Sequence, residues 1–303
     1  MNVIKMNNLT KYYGKNTGVE NVNLSVSKGD IFGFIGPNGA GKSTTIRMLL
    51  QLTYPTSGSV ELFGLPLHKE RPSLRRKIGS LSSEVHYYKE MTGKQILQFT
   101  AKSHGLSLQE TPVYEYAERF QFDMNKKVKS FSLGNRKKLG ILQGLLHEPE
   151  LLILDEPTSG LDPLMQQSFF QLLNELNHHG VTIFFSTHVL SEVEKLCNRV
   201  AFIKSGKLLE TSHMTEVKGM NERVIEVTFT EPGDKRKKFG LADIDPYAAF
   251  TQGVHYITVR GRLHEALQRI VQYPITDISI HKPTLEQLFM QHYDQKESDG
   301  DSR

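Results

Sequence analysis

Gly36-Pro37-Asn38-Gly39-Ala40-Gly41-Lys42-Ser43-Thr44 fits G-x-x-x-x-G-K-[ST], the pattern of a loop that wraps the phosphates of a nucleotide. Its glycines let the backbone turn tightly enough for successive N–H groups to face one anion. In such a loop Lys42 reaches the β- and γ-phosphates, and the Ser43 hydroxyl is a ligand of Mg2+. The motif carries this meaning only between a strand and a helix. Ile31–Ile35 is an apolar run of strand length, and Ile46, Leu49 and Leu50 recur at helical spacing. The loop therefore caps a helix N-terminus, whose dipole and free N–H groups favour negative charge.

Outward from the loop, the chain alternates strands and helices. Val60 and Leu62 mark a strand, Pro55 and Gly58 having stopped the first helix, and Ile78–Leu81 reads as the next strand. Leu151-Leu-Ile-Leu154 is fully apolar, as suits a central parallel strand buried on both faces, and it ends in Asp155 and Glu156. Acids at the carboxyl end of such a strand stand where open α/β sheets bind ligands. Asp155 can hold Mg2+ through water, and Glu156 can polarise an attacking water. Phe169, Leu172, Leu173 and Leu176 mark a helix ended by Gly180; Val181–Phe185 forms another strand, and His188 follows it on the side of the phosphates.

The flanks differ. Residues 1 to about 30 read as strands, with turns at Tyr13-Gly14 and Lys28-Gly29-Asp30. Tyr12 or Tyr13 can stack on an adenine face, and the local pattern does not choose between them. Residues 84–147 show helices only, at Ile96, Leu97 and Phe99, at Val113, Tyr116, Ala117 and Phe120, and at Leu139, Leu142 and Leu146. Val200–Lys204 and Lys207–Glu210 form a hairpin at Ser205-Gly206. Lys218-Gly219-Met220-Asn221 reads as a linker. Beyond it Ile225, Val227, Phe229, Ile257 and Val259 alternate with polar residues, Leu263, Leu267 and Ile270 suggest a helix, Ile278 and Ile280 a strand, and Leu285, Leu288 and Phe289 a last helix. The fold class is α/β: a P-loop nucleotidase core with an antiparallel β subdomain and a helical insertion, then a small α+β C-terminal domain. The domains are 1–217 and 221–294, with a disordered tail at 295–303.

Composition excludes other classes. No apolar run in the 303 residues approaches the roughly 18 that a membrane span needs. Met1–Lys5 lacks a signal-peptide core, and the single cysteine, Cys197, suits a reducing cytosol and reads as a small core residue. The net charge of +4 is mild. Basic clusters at Lys126-Lys127, Arg136-Lys137-Lys138 and Lys235–Lys238 lack interleaved aromatics and read as solvated surface, so no nucleic-acid partner is expected. The twelve histidines show no metal-ligand spacing.

From about residue 2 to 217 the chain resembles the ATP-binding subunit of an ABC transporter, of exporter type. The motifs stand in the family's order: the phosphate loop, then Phe131-Ser132-Leu133-Gly134-Asn135 at the place of the signature Leu-Ser-Gly-Gly-Gln, then Leu151–Glu156, Ser159-Gly160-Leu161-Asp162-Pro163 as the dimer-contacting loop, and His188 as the switch histidine. The resemblance favours Tyr13 as the adenine-stacking aromatic. It implies an ATPase whose catalytic residues are Lys42, Glu156 and His188, using ATP and Mg2+. Two copies would pair head to tail, with Ser132, Gly134 and Asn135 of one copy capping the nucleotide of the other and Asp162 at the dimer contact. It also implies a separate transmembrane permease partner and a cytoplasmic subunit peripheral on the inner face of the cell membrane. Two departures stand out. Leu133 and Asn135 replace a Gly and the Gln of the signature. Ser83 stands where the family's water- and Mg2+-linked Gln is expected, and either Glu84 next to it or a water held by Ser83 substitutes. Alternatives are a soluble ABC-type ATPase acting on ribosomes or nucleic acid, and a low-turnover regulatory nucleotide-binding subunit. The former is disfavoured by one phosphate loop and no sustained heptads, the latter by the retained Glu156 and His188.

Overall fold

The computed structural model describes residues 1–67, 72–83, 86–219 and 222–282. The chain divides into a unit Met1–Met214 and a second beginning at Thr215.

In the first unit, β1 (Asn2–Tyr13), β2 (Asn16–Ser27) and β3 (Ile31–Ile35) precede the phosphate loop, and α1 (Lys42–Leu49) follows it. Then come β4 (Ser57–Leu62), β5 (Leu65–Pro66), the short α2 (Pro72–Arg75) and β6 (Ile78–Leu81). Three helices follow: α3 (Gly93–Ser103), α4 (Val113–Arg119) and α5 (Leu133–Leu145). The chain returns to the sheet with β7 (Leu151–Asp155), α6 (Pro163–His178), β8 (Thr182–Thr187), α7 (Leu190–Leu196) and the hairpin β9 (Arg199–Lys204) and β10 (Lys207–His213). The antiparallel sheet runs β2-β1-β4-β5, and the six-stranded sheet runs β10-β9-β3-β8-β7-β6, parallel except for β10.

Every residue of β3, β7 and β8 is buried, which is why Ile31–Ile35, Leu151–Leu154 and Ile183–Phe185 are apolar runs rather than alternating ones. The parallel register sets Ile35 beside Thr187, Asp155 beside Ser186 and Leu81 beside Leu154. The carboxyl ends of four strands therefore finish along one edge. Three helices start on side-chain caps: Thr92 and Gln95 form a reciprocal capping box on α3, Ser132 caps α5, and Asp162 with Pro163 opens α6.

Two local expectations change. The first helix stops at Leu49, before Pro55, because Gln51 turns left-handed; Gly58 lies inside β4. Phe99 is exposed: α3 buries Gly93, Ile96, Leu97 and Ala101, and the 3.6-residue period puts position 99 on the opposite side.

A helix α8 (Met214–Gly219) crosses the unit boundary. In the second unit β11 (Glu222–Phe229), β12 (Ala249–Thr251), β13 (Val254–Arg260) and β14 (Ile275–His281) form an antiparallel sheet ordered β12-β13-β11-β14, with α9 (Leu263–Ile270) between β13 and β14. Ile225, Val227, Phe229, Ile257, Val259 and Ile270 form its core. Strand β14 is at an edge, and Ile278 and Ile280 are exposed. Met220 and Asn221 of the expected linker, the helix expected at Leu285–Phe289 and the tail from 295 lie outside the described residues.

Candidate functional site

The phosphate loop leaves β3 against the hairpin of β9 and β10. A Cβ on Gly36 would lie 2.2 Å from the Ile203 carbonyl oxygen, so only glycine fits there. Gly41 has φ +106°, and a Cβ there would meet the Gly18 oxygen and Val19 Cγ1 at 2.6 Å. The hairpin turn braces the loop: Gly206 N–H donates to Ala40 O at 3.0 Å. Lys42 is buried, and its Nζ donates to the carbonyls of Gly36 (2.7 Å) and Pro37 (3.2 Å).

The acids at the end of β7 meet this loop. Lys42 Nζ lies 3.2 Å from Glu156 Oε1, an ion-pair distance without hydrogen-bond alignment; among the described residues that buried oxygen has no hydrogen-bond donor. Glu156 Oε2 contacts His188 Nδ1 at 2.7 Å, across 32 residues of sequence. Glu156 holds a left-handed backbone, φ +47°, a conformation that costs a non-glycine residue about 1–3 kcal/mol and marks a position fixed by its surroundings. Its N–H is bound by Ser186 O at 3.1 Å. Asp155 is buried, and its Oδ1 accepts from Ser186 Oγ at 2.6 Å.

The two tyrosines separate. Tyr12 donates from its hydroxyl to Glu20 Oε1 at 3.0 Å, which holds that phenol above its ordinary pKa. Tyr13 is half-exposed, and a Cβ on Gly18 would lie 3.1 Å from Tyr13 Cε2 and 3.0 Å from Thr44 Cγ2. Tyr13 and the last residue of the phosphate loop thus flank one glycine.

Ser132 and its neighbours stand apart from that cluster. Ser132 Oγ accepts from Asn135 N–H at 3.2 Å, and a Cβ on Gly134 would lie 3.0 Å from Gly160 O. Leu133 packs on Gly160 and is otherwise exposed. Asp162 accepts from Met165 N–H at 3.0 Å. Glu84 lies outside the described residues.

Two residues of the site were missed in sequence. Ser186 has no role in the sequence reading, and the structure sets it at the end of β8 beside Asp155. Lys137 reads by composition as solvated surface, but it is 2 % exposed, donating to Glu156 O (3.0 Å) and Ser82 O (3.3 Å). Burial pushes its ammonium pKa down, and the nearby Asp155 and Glu156 carboxylates partly oppose this. Helical spacing was the available signal, since Lys137 shares a face with buried Ile141, Gly144 and Leu145.

Among the described residues no cluster of three or more His, Cys, Asp or Glu could hold a metal by itself. A Mg2+ carried by a nucleotide needs less: the Ser43 hydroxyl, the buried Asp155 carboxylate two strands away and phosphate oxygens make an all-oxygen set, which fits that ion. The Oε1 of Glu156, ion-paired with Lys42 but with no hydrogen-bond donor among the described residues, is the acceptor such a site offers a water.

A glycine-braced phosphate loop at the carboxyl edge of a parallel sheet, with two acids at the end of β7, the next strand but one from β3, defines a P-loop nucleotide-binding protein. A family model described as ABC transporter matches residues 19–159. The bacitracin transport ATP-binding protein BcrA of Bacillus licheniformis is 42% identical, the match covering 83% of each chain. The linearmycin resistance ATP-binding protein LnrL of Bacillus subtilis (strain 168) is 31% identical over 95% of this chain and 97% of its own. A solved ATP-binding subunit of an ABC transporter superposes with TM-score 0.66 at 28% identity, covering 72% of this chain and 92% of that one. The chain belongs to the ABC transporter family and is an ATP-hydrolysing, ATP-binding subunit of a transporter. The ribosome- or nucleic-acid-acting alternative finds no support among these relatives.

Proposed function

We propose that two copies close head to tail around two Mg-ATP, and that closure and hydrolysis drive export by a separate membrane-spanning permease. Residues 36–44 hold the triphosphate, Tyr13 stacks on adenine, and Ser132, Gly134 and Asn135, at the N-terminus of α5, cap the γ-phosphate of the other copy. Asp162 contacts that copy. Ser43, and Asp155 through water, would hold a Mg2+ that would supply charge neutralisation on the phosphates. Lys42 exchanges its carbonyl partners for phosphate oxygens. Glu156 accepts a proton from the attacking water, and His188 orients its carboxylate. Because phosphoryl transfer is catalysed mainly by positioning and charge, the changed Leu133 and Asn135 are tolerated where Ser132 and Gly134 remain.

Export, and an antibiotic-like cargo, are supported by the bacitracin transport and linearmycin resistance relatives. No described helix is long and apolar enough to cross a membrane. The protein then sits peripherally on the inner face of the cell membrane, through the permease. The unit from Thr215 is an accessory or docking domain.

The carrying observation is the Glu156 carboxylate, bound at one oxygen by His188 and, at the other, ion-paired with Lys42 with no hydrogen-bond donor among the described residues. Glu156→Gln should lower ATP turnover by about 10²–10⁴-fold, the range for a lost general base. It should keep ATP binding and give an ATP-dependent dimer on gel filtration. Unchanged turnover would remove Glu156 from the chemistry, and a variant that stays monomeric with ATP would remove the head-to-tail pairing.

A further inference from the structure

Lys137 is a buried charge that the proposed chemistry does not use. It lies on α5, five residues after Ser132, is 2 % exposed, and forms no ion pair with a described carboxylate. An apolar side chain of similar length would fill the same space without desolvating a charge, so packing alone does not account for an ammonium there. What the ammonium does is hold two carbonyls. One is Glu156 O at 3.0 Å, which also accepts from Ser159 N–H at 3.3 Å; the other is Ser82 O at 3.3 Å, just beyond β6 and next to Ser83. The start of α5 touches the other end of the same loop, where Leu133 and Gly134 pack on Gly160. Helix α5 thus grips the Glu156–Asp162 loop at both ends.

We propose that Lys137 is a positioning residue for hydrolysis: it fastens the helix that begins at Ser132 to the backbone of Glu156, so that in each copy the signature end and the catalytic carboxylate move as one body. The left-handed backbone of Glu156 aims its side chain at Lys42 and His188, and the bond from Lys137 to its carbonyl holds that aim. Closing of one copy's signature on the partner's nucleotide is thereby felt at that copy's own carboxylate, and through Ser82 at the segment where the family carries its Gln. The inference rests on the role proposed for Glu156.

The test compares Lys137→Met, which keeps length and loses the donor, with Lys137→Gln, which keeps a shorter donor, and runs Glu156→Gln beside them. Lys137→Met should lower kcat at least about tenfold while KM for ATP stays within about twofold, the signature of misplacement rather than lost binding. Lys137→Gln should fall between it and the unaltered protein. Placed in the Glu156→Gln background, Lys137→Met should still give the ATP-dependent dimer. A kcat within about twofold of the unaltered protein overturns the proposal. So does a rise in KM with loss of the dimer, or failure of both variants to fold, since either assigns Lys137 to packing. If Glu156→Gln alone leaves turnover intact, the reading of Glu156 fails instead.

Discussion

Replacing Ser186 with alanine tests how the acids are held. Ser186 is fully buried, and its hydroxyl donates to Asp155 Oδ1 at 2.6 Å. A hydrogen bond to a buried charged group contributes about 1.5–3 kcal/mol, and alanine puts nothing in its place. The neighbouring bond from Glu156 N–H survives, because its stronger partner is the Ser186 carbonyl at 3.1 Å rather than the hydroxyl at 3.3 Å. A loss near 2 kcal/mol should lower the melting temperature of the N-terminal unit by about 4–8 °C, at the roughly 2–4 °C per kcal/mol of units this size. Asp155 should also become free to rotate, so that ATPase activity at saturating ATP needs several-fold more Mg2+. The control is Thr187→Val on the next residue. The Thr187 hydroxyl donates to buried Glu192 at 2.8 Å and accepts from Val189 N–H at 2.9 Å, facing away from Asp155 in its bonding. That variant should lose comparable stability with its Mg2+ requirement unchanged. Calorimetry and a Mg2+ titration of turnover decide the matter. If Ser186→Ala melts within about 1 °C of the unaltered protein and titrates identically, the bond does not orient Asp155 and the reasoning fails.

Tyr13→Ala should raise the Kd for ATP about tenfold, within the roughly 1–3 kcal/mol of one base stacked on an aromatic ring, whereas Tyr12→Ala should leave it unchanged; fluorescence titration with an ATP analogue separates them. The acid side of the stability profile should carry His147. Burial, and then the His104 ring stacked on it at 3.9 Å, hold its pKa at about 4, below the ordinary 6.5. The folded state therefore refuses a proton that the unfolded chain accepts. Stability is fully present above pH 6.5 and is lost as pH falls toward 4; with the partial exposure of the ring discounted, the loss is about 1–2 kcal/mol. Urea unfolding at pH 7.5 and pH 5 should show it, and His147→Gln should flatten the difference.

Much of the nucleotide site was legible in sequence because its chemistry is local. The phosphate loop needs its glycines and lysine at fixed spacing, and buried parallel strands need apolar runs, so Ile31–Ile35, Leu151–Leu154 and Val181–Phe185 announced strands close to the observed β3, β7 and β8. Legibility ended where side chains from different elements share a space. Arg136-Lys137-Lys138 looks like solvated charge by composition, and only the phase of α5 turns the middle one inward. Ser186 carries no signal, since a hydroxyl at a strand end gains its role only from the carboxylate that the neighbouring strand sets beside it. Asp162 acts in sequence as a motif residue and in the fold also as the cap of α6.

By itself the amino-acid sequence determined that this protein has a loop for phosphates, acids at a buried strand end and a family's motifs in order, because each is a short-range pattern of backbone freedom, burial period or charge. Tertiary structure alone decided that Lys42, Lys137, Glu156 and His188 converge. Their approach depends on the parallel register that ends β3, β7 and β8 along one edge, and on the turn of α5 that faces the loop after β7; neither is encoded at any single position.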